Sequence, residues 1–177
     1  DTMIGFPRDT SLYDFIRKQT KDKASQEEMA FPAEYMFKDV PSHLSDDPIA
    51  VTLREMDLFG VTQGLVSIDD ELGQQAVTQH RDRFVPSASV TDPNDVMGAV
   101  LKLRRGHEQY GIRAATTFPA GTFPQVPIDD AKMYPIYATC VELDIPIFVC
   151  AGIPGPRVPF AVQDVALIDR VMFDFPD

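Results

Sequence analysis

Short runs rich in β-branched and small residues alternate with amphipathic helical patterns along most of this chain, which narrows its architecture more than any other feature. Residues 64–69, 84–90, 111–118 and 145–152 read as strands, and residues 1–5 read as the end of an earlier one. Helical stripes lie between them. Leu12, Phe15 and Ile16 share one face over 11–20. Asp47-Pro48 supplies a capping oxygen and a first-turn proline, followed by Ile49, Leu53 and Met56, with Gly60 as the stop. A polar helix is expected over 71–80. Asp92-Pro93 repeats the cap-then-proline start ahead of Val96, Ala99, Val100 and Leu103. Asp129 or Asp130 is expected to cap a helix buried through Met133, Ile136, Tyr137, Cys140 and Leu143, and Val165, Ile168, Val171 and Met172 mark the last one.

Strands alternating with helices of this length mean βαβ units on a parallel sheet with right-handed crossovers. The expected fold class is therefore α/β, of the (β/α)8 TIM-barrel type. About five units fit, where a closed barrel needs about eight. The chain is then either a compact open sheet or the N-terminal part of a larger barrel. We favour the barrel, because an open half would expose a strand edge and half its core. The whole of 1–177 is read as one domain.

The bulk charge excludes some functions. A net charge of −11 with 16 basic residues offers no basic patch for nucleic acid. The cluster Lys102, Arg104 and Arg105 reads as a solvated helix face. No apolar run approaches a membrane span, no signal peptide is visible, and two cysteines, Cys140 and Cys150, do not make a disulfide framework. The expectation is a soluble cytoplasmic protein.

In parallel α/β folds, chemistry collects where strands end. The run Ile145-Pro146-Ile147-Phe148-Val149-Cys150 delivers a thiol to such an end. Cys150 is a candidate nucleophile or metal ligand, and reads more readily as a small buried hydrophobe. Polar residues at the other strand ends form a possible ring of Asp1, Ser67, Asp69, Ser89, Thr91, Thr116 and Thr117, all expected to face one mouth. Asp69 is the candidate acid or base, with Ser89 and Thr116 as substrate-binding groups, and Asp69-Asp70 also reads as loop capping ahead of a helix. Arg157, after Gly152-Ile153-Pro154-Gly155-Pro156, is a candidate partner for a substrate carboxylate or phosphate, and also reads as loop architecture. His43, His80 and His107 lie away from strand ends and read as surface residues, with no His-x-His pair. The apolar stretch 31–37 reads as a lid, a subunit contact or a buried tether.

Taken in order, Asp1-Thr2-Met3-Ile4-Gly5, His80-Arg81-Asp82-Arg83-Phe84-Val85, Val90-Thr91-Asp92-Pro93, Tyr110-Gly111-Ile112-Arg113 and Tyr134-Pro135-Ile136-Tyr137 through Gly152 resemble the amidohydrolase-related family of TIM-barrel hydrolases and decarboxylases. The resemblance implies the first five βα units of that barrel and a small-molecule substrate, an organic acid or amide that is hydrolysed or decarboxylated. It implies a homo-oligomer and a divalent metal such as zinc at the mouth. Two departures stand out. The family's first strand carries Asp-x-His-x-His, where this chain has Met3 and Gly5, and its fifth strand ends in histidine, where this chain has Cys150. No metal ligand is assigned on this reading. The alternative is a metal-free relative acting as a binding or oligomerisation partner.

Overall fold

The structure, a computed structural model, describes residues 1–7, 21–27, 47–155 and 157–176. The expected helix over 11–20, the apolar stretch 31–37 and His43 lie outside the described residues. After a short helix α1 (Lys23–Glu27), the chain runs through α2 (Pro48–Leu58), β1 (Gly64–Ser67), α3 (Glu71–Gln79), β2 (Phe84–Val90) and α4 (Val96–Tyr110). It continues through β3 (Ala114–Thr117), α5 (Tyr134–Glu142), β4 (Ile147–Val149) and α6 (Ala166–Asp174). The sheet order is β1-β2-β3-β4 and every neighbouring pair is parallel. This is the architecture read from the sequence, with four rather than five strands among the described residues.

The missing strand is the one placed at 1–5. That segment does lie beside β1, and the Leu65 N–H donates to the Asp1 carbonyl at 2.8 Å. The Met3 N–H, however, donates to the Asp1 carboxylate at 2.9 Å. A local side-chain bond here satisfies a donor that a ladder would need. Farther on, Phe6 returns to the core and meets Phe84 edge-on at 5.5 Å.

Side-chain caps set the starts of α2, α3 and α4. Asp47 accepts from the Ala50 N–H at 2.9 Å and Pro48 opens α2, as its sequence indicates. Two other starts differ from expectation. Asp92 accepts from the Asn94 N–H and closes a turn, so α4 begins later, capped by Asp95 on the Gly98 N–H at 2.9 Å. Asp130 likewise turns the chain at Lys132, and α5 starts after Met133 without a side-chain cap. Helix α4 ends at Gly111, whose φ of 66° is the left-handed conformation a glycine adopts at low cost.

Each sheet face has its own character. Val66, Ile68, Phe84, Ala88, Val90 and Ala115 point toward the helices and join Leu103, Ile136, Tyr137 and Cys140 in one core. Arg104 on α4 and Glu142 on α5 pair at 2.7 Å along the outside of that layer. Helix α6 turns Leu167, Ile168 and Val171 inward, and Phe175, just past its end, meets Tyr134 and Tyr137. Val165 and Met172, expected on the same stripe, are each 61% exposed. Val165 precedes the first helical turn, and Met172 follows Val171 by about 100° around the helix, away from the core.

Candidate functional site

The register fixes which side chains share the second face. Leu65 pairs with Val85 and Ser67 with Ser87. Ser89 pairs with Thr116, and Thr116 with Phe148. Paired residues in parallel strands project to the same side, so Ser67, Ser89 and Thr116 form a row of hydroxyls opposite the helix-facing core. Thr116 Oγ1 donates to Ser89 Oγ at 3.0 Å, and the Ser67 and Ser89 hydroxyl oxygens stand 3.5 Å apart. Ser87, below them, is buried and donates to the Val66 carbonyl at 3.0 Å.

Asp69 closes this row at the C-terminal end of β1. Its carboxylate accepts the Ser89 N–H through both oxygens, each at 3.3 Å. Lys102, from the middle of α4, brings its ammonium to 2.9 Å from Asp69 Oδ1 and donates to the Ser89 carbonyl at 2.7 Å. The lysine therefore bridges the ends of β1 and β2. Sequence reasoning placed Lys102 on a solvated face. The correction is geometric: Lys102 immediately precedes the fully buried Leu103 on α4, and its flexible stem carries the charge over the strand ends. Its neighbours Arg104 and Arg105 are exposed, as expected.

Asp69, Ser89 and Thr116 are thus brought together, and Ser67 and Lys102 join them. Thr117 is not part of the group. It projects to the helix side, is buried, and donates to the Val90 carbonyl at 3.3 Å. Cys150 lies two residues beyond Phe148, on the strand next to Thr116, and its backbone N–H donates to the Thr117 carbonyl at 3.0 Å. It is exposed rather than a buried hydrophobe. Desolvation nevertheless raises its thiol above the ordinary range, which disfavours the thiolate that a nucleophile needs. Arg157 is also exposed and faces Asp22 at 3.7 Å, at the start of the α1 segment. His107 is exposed as expected. His80 is half-buried with its ring edge-on to Phe84 at 6.2 Å, a packing contact where a surface residue was expected.

A divalent ion needs several converging donors. Among the described residues, no three His, Cys, Asp or Glu side chains converge in this way. Asp69 already serves Lys102 and the Ser89 N–H, Met3 is 86% exposed, and Gly5 brings no donor. The described residues do not fit the metal that the resemblance implies. A separate cleft of about 140 Å³, lined by Val77, Arg81, Phe84, Pro86 and Tyr110 among others, opens near the N-terminal ends of the strands. It lies at the opposite end of the sheet from the hydroxyl row, so we place the candidate site at the row. Among the described residues, no helix is long and apolar enough to cross a membrane.

A four-stranded parallel sheet alternating with helices, its polar groups gathered at the carboxyl ends of the strands, is the pattern of a partial (β/α)n barrel. Over residues 24–177 the chain matches the amidohydrolase family, and it belongs to that family. Among solved structures, it is similar to an uncharacterised TIM-barrel protein from Bordetella bronchiseptica, with 23% identity and a TM-score of 0.58. That similarity covers 93% of this chain and 54% of the other, so the chain spans about half the length of the barrel it matches. No curated protein matches it.

Proposed function

We propose that this chain forms part of an amidohydrolase-type enzyme that hydrolyses or decarboxylates a small organic acid or amide at the strand ends. The observation that carries this reading is the Asp69 carboxylate, fixed by Lys102 and the Ser89 N–H beside the Ser89 and Thr116 hydroxyls. A carboxylate held in place in this way takes a proton from a substrate group or a water, and returns it to the leaving group. Ser89 and Thr116 hydroxyls offer donors and acceptors for a carboxylate or amide. Lys102 keeps Asp69 oriented and adds positive charge where an anionic substrate would arrive. Cys150 lines the next strand end, and its raised thiol suits a wall residue better than a nucleophile. Arg157, paired outward with Asp22, suits loop architecture better than substrate capture.

The test is turnover by the intact protein on a panel of small carboxylic acids and amides, with Asp69→Asn and Cys150→Ser compared. Acid–base catalysis by Asp69 predicts a loss of about 10²–10⁴-fold in Asp69→Asn and little change in Cys150→Ser. The reverse pattern would transfer the chemistry to the thiol.

A second reading is favoured by Met3 and Gly5 standing where the family has histidines. In it the protein is a metal-free relative that binds without turnover. Elemental analysis of the intact protein, read together with the turnover panel, separates the two. About one divalent ion per chain counts against this second reading, and absence of both metal and turnover supports it.

A further inference from the structure

We propose that Gln163 clasps the loops after β3 and β4 into a single body, so that one side of the strand-end mouth opens as a unit. The functional meaning rests on the reading that the strand ends are the site, but the test below does not use activity.

Gln163 is 1% exposed, and its carboxamide is satisfied from two directions. Oε1 accepts the Ala120 N–H at 3.0 Å, in the loop after β3. Nε2 donates to the Gly152 carbonyl at 2.8 Å, in the loop after β4. The backbone carbonyl of Gln163 accepts the Gly152 N–H at 2.8 Å, so one residue holds both polar backbone groups of Gly152. A second amide repeats the device. Gln125 Nε2 donates to the Ala120 and Pro159 carbonyls, each at 2.8 Å. Ala120, 0% exposed, thus has both backbone groups held by side-chain amides. The Ile128 N–H donates to the Val162 carbonyl at 2.9 Å as a further tie.

Loops usually satisfy their backbones with water and move independently. Three of these bonds cross between the loops, from Gln163 to Ala120, from Gln125 to Pro159 and from Ile128 to Val162, and the first of them is buried. Shifting one loop alone would strand the buried Ala120 N–H and Gln163 Oε1, at a desolvation cost. The shared position matters because Gly152 lies two residues past Cys150 and sets where β4 leaves the sheet. Gln163 is accordingly a positioning residue for the mouth, acting through Gly152 and Ala120.

The experiment is amide hydrogen exchange on the intact protein and its Gln163→Leu variant, with Leu103→Ala as a control for general destabilisation. Two reporters avoid the severed carboxamide: the Gly121 N–H, bonded to the Phe118 carbonyl, and the Gly152 N–H, bonded to the Gln163 backbone. In Gln163→Leu both should lose protection by the same factor, tenfold or more, while amides of β2 keep theirs. Leu103→Ala should lower loop and strand protection together. Gln125→Leu, which cuts the Ala120 and Pro159 bonds, should show the same paired loss and provides the test if Gln163→Leu does not fold. Unequal responses of Gly121 and Gly152, or a Gln163→Leu pattern matching that of Leu103→Ala, would overturn the proposal.

Discussion

The two faces of one sheet follow different rules here. Toward the helices, Val66, Phe84, Ala88, Val90 and Ala115 are 2% exposed or less and pack on the fully buried Leu103 and Ile136. Toward the other side, the same strands begin with Leu65, Val85 and Ala114 and then present Ser67, Ser87, Ser89 and Thr116 toward their C-terminal ends. Parallel strands buried on both faces usually read as continuous apolar runs. A period-two alternation instead marks the face where hydroxyls are wanted for something other than packing. Stability should therefore reside on the first face and function on the second, and mutations can test that division.

The largest effect is expected from Phe84→Ala or Leu103→Ala, which empty the helix-facing core. In urea unfolding the first should cost about 3–5 kcal/mol and the second about 2–5 kcal/mol, ranges typical of buried Phe and Leu truncations. An equal loss from Ser89→Ala would break the division. Next comes alkaline pH. Burial pushes the Cys140 thiol from 9.0 up to about 11. Between these values the unfolded chain releases its proton and the folded chain keeps it. Stability is then fully present below pH 9 and falls as pH rises toward 11. Cys140→Ala should flatten that part of the pH–stability curve, although Tyr137, also raised by burial, will retain some slope.

Smaller changes should come from the polar face. Ser89→Ala and Thr116→Ala should each cost about 1 kcal/mol or less, the net value of one hydrogen bond. A double-mutant cycle on Asp69 and Lys102, with side chains 24% and 38% exposed, should give a coupling of about 0.2–1 kcal/mol that shrinks with added salt. A coupling of several kcal/mol would show that the pair serves the fold more than the site. Cys150→Ser should be the mildest, with a midpoint shift near experimental error, because the residue is exposed and its bond is made by the backbone.

Much of the fold was legible because period and punctuation are local. Strand β2 was read at its observed bounds, and the α2 cap at Asp47 was read correctly. The failures also have local causes. Asp92 and Asp130 carry the side chain a cap needs, but both spend it on turns two residues long. The site was legible as a set of strand-end hydroxyls and one carboxylate. Lys102 was not, because its partners Ser89 and Asp69 lie 13 and 33 positions away, and only the packing of α4 across the sheet brings them together. Gln163 gave no signal, since a buried amide looks like a surface one until its loops are placed.

Gly73 deserves a protein engineer's caution. Replacing helical glycines with alanine is a routine way to stabilise a protein, worth up to about 1 kcal/mol per site. At Gly73 a methyl carbon would lie 1.8 Å from the Ser67 carbonyl oxygen, because α3 sits directly against the end of β1. The helix would have to lift away, carrying with it Asp70, whose carboxylate accepts the Gly73 N–H, and the adjoining Asp69. A consensus-driven thermostabilisation that swapped this one glycine would spend its gain on moving the carboxylate it was meant to preserve.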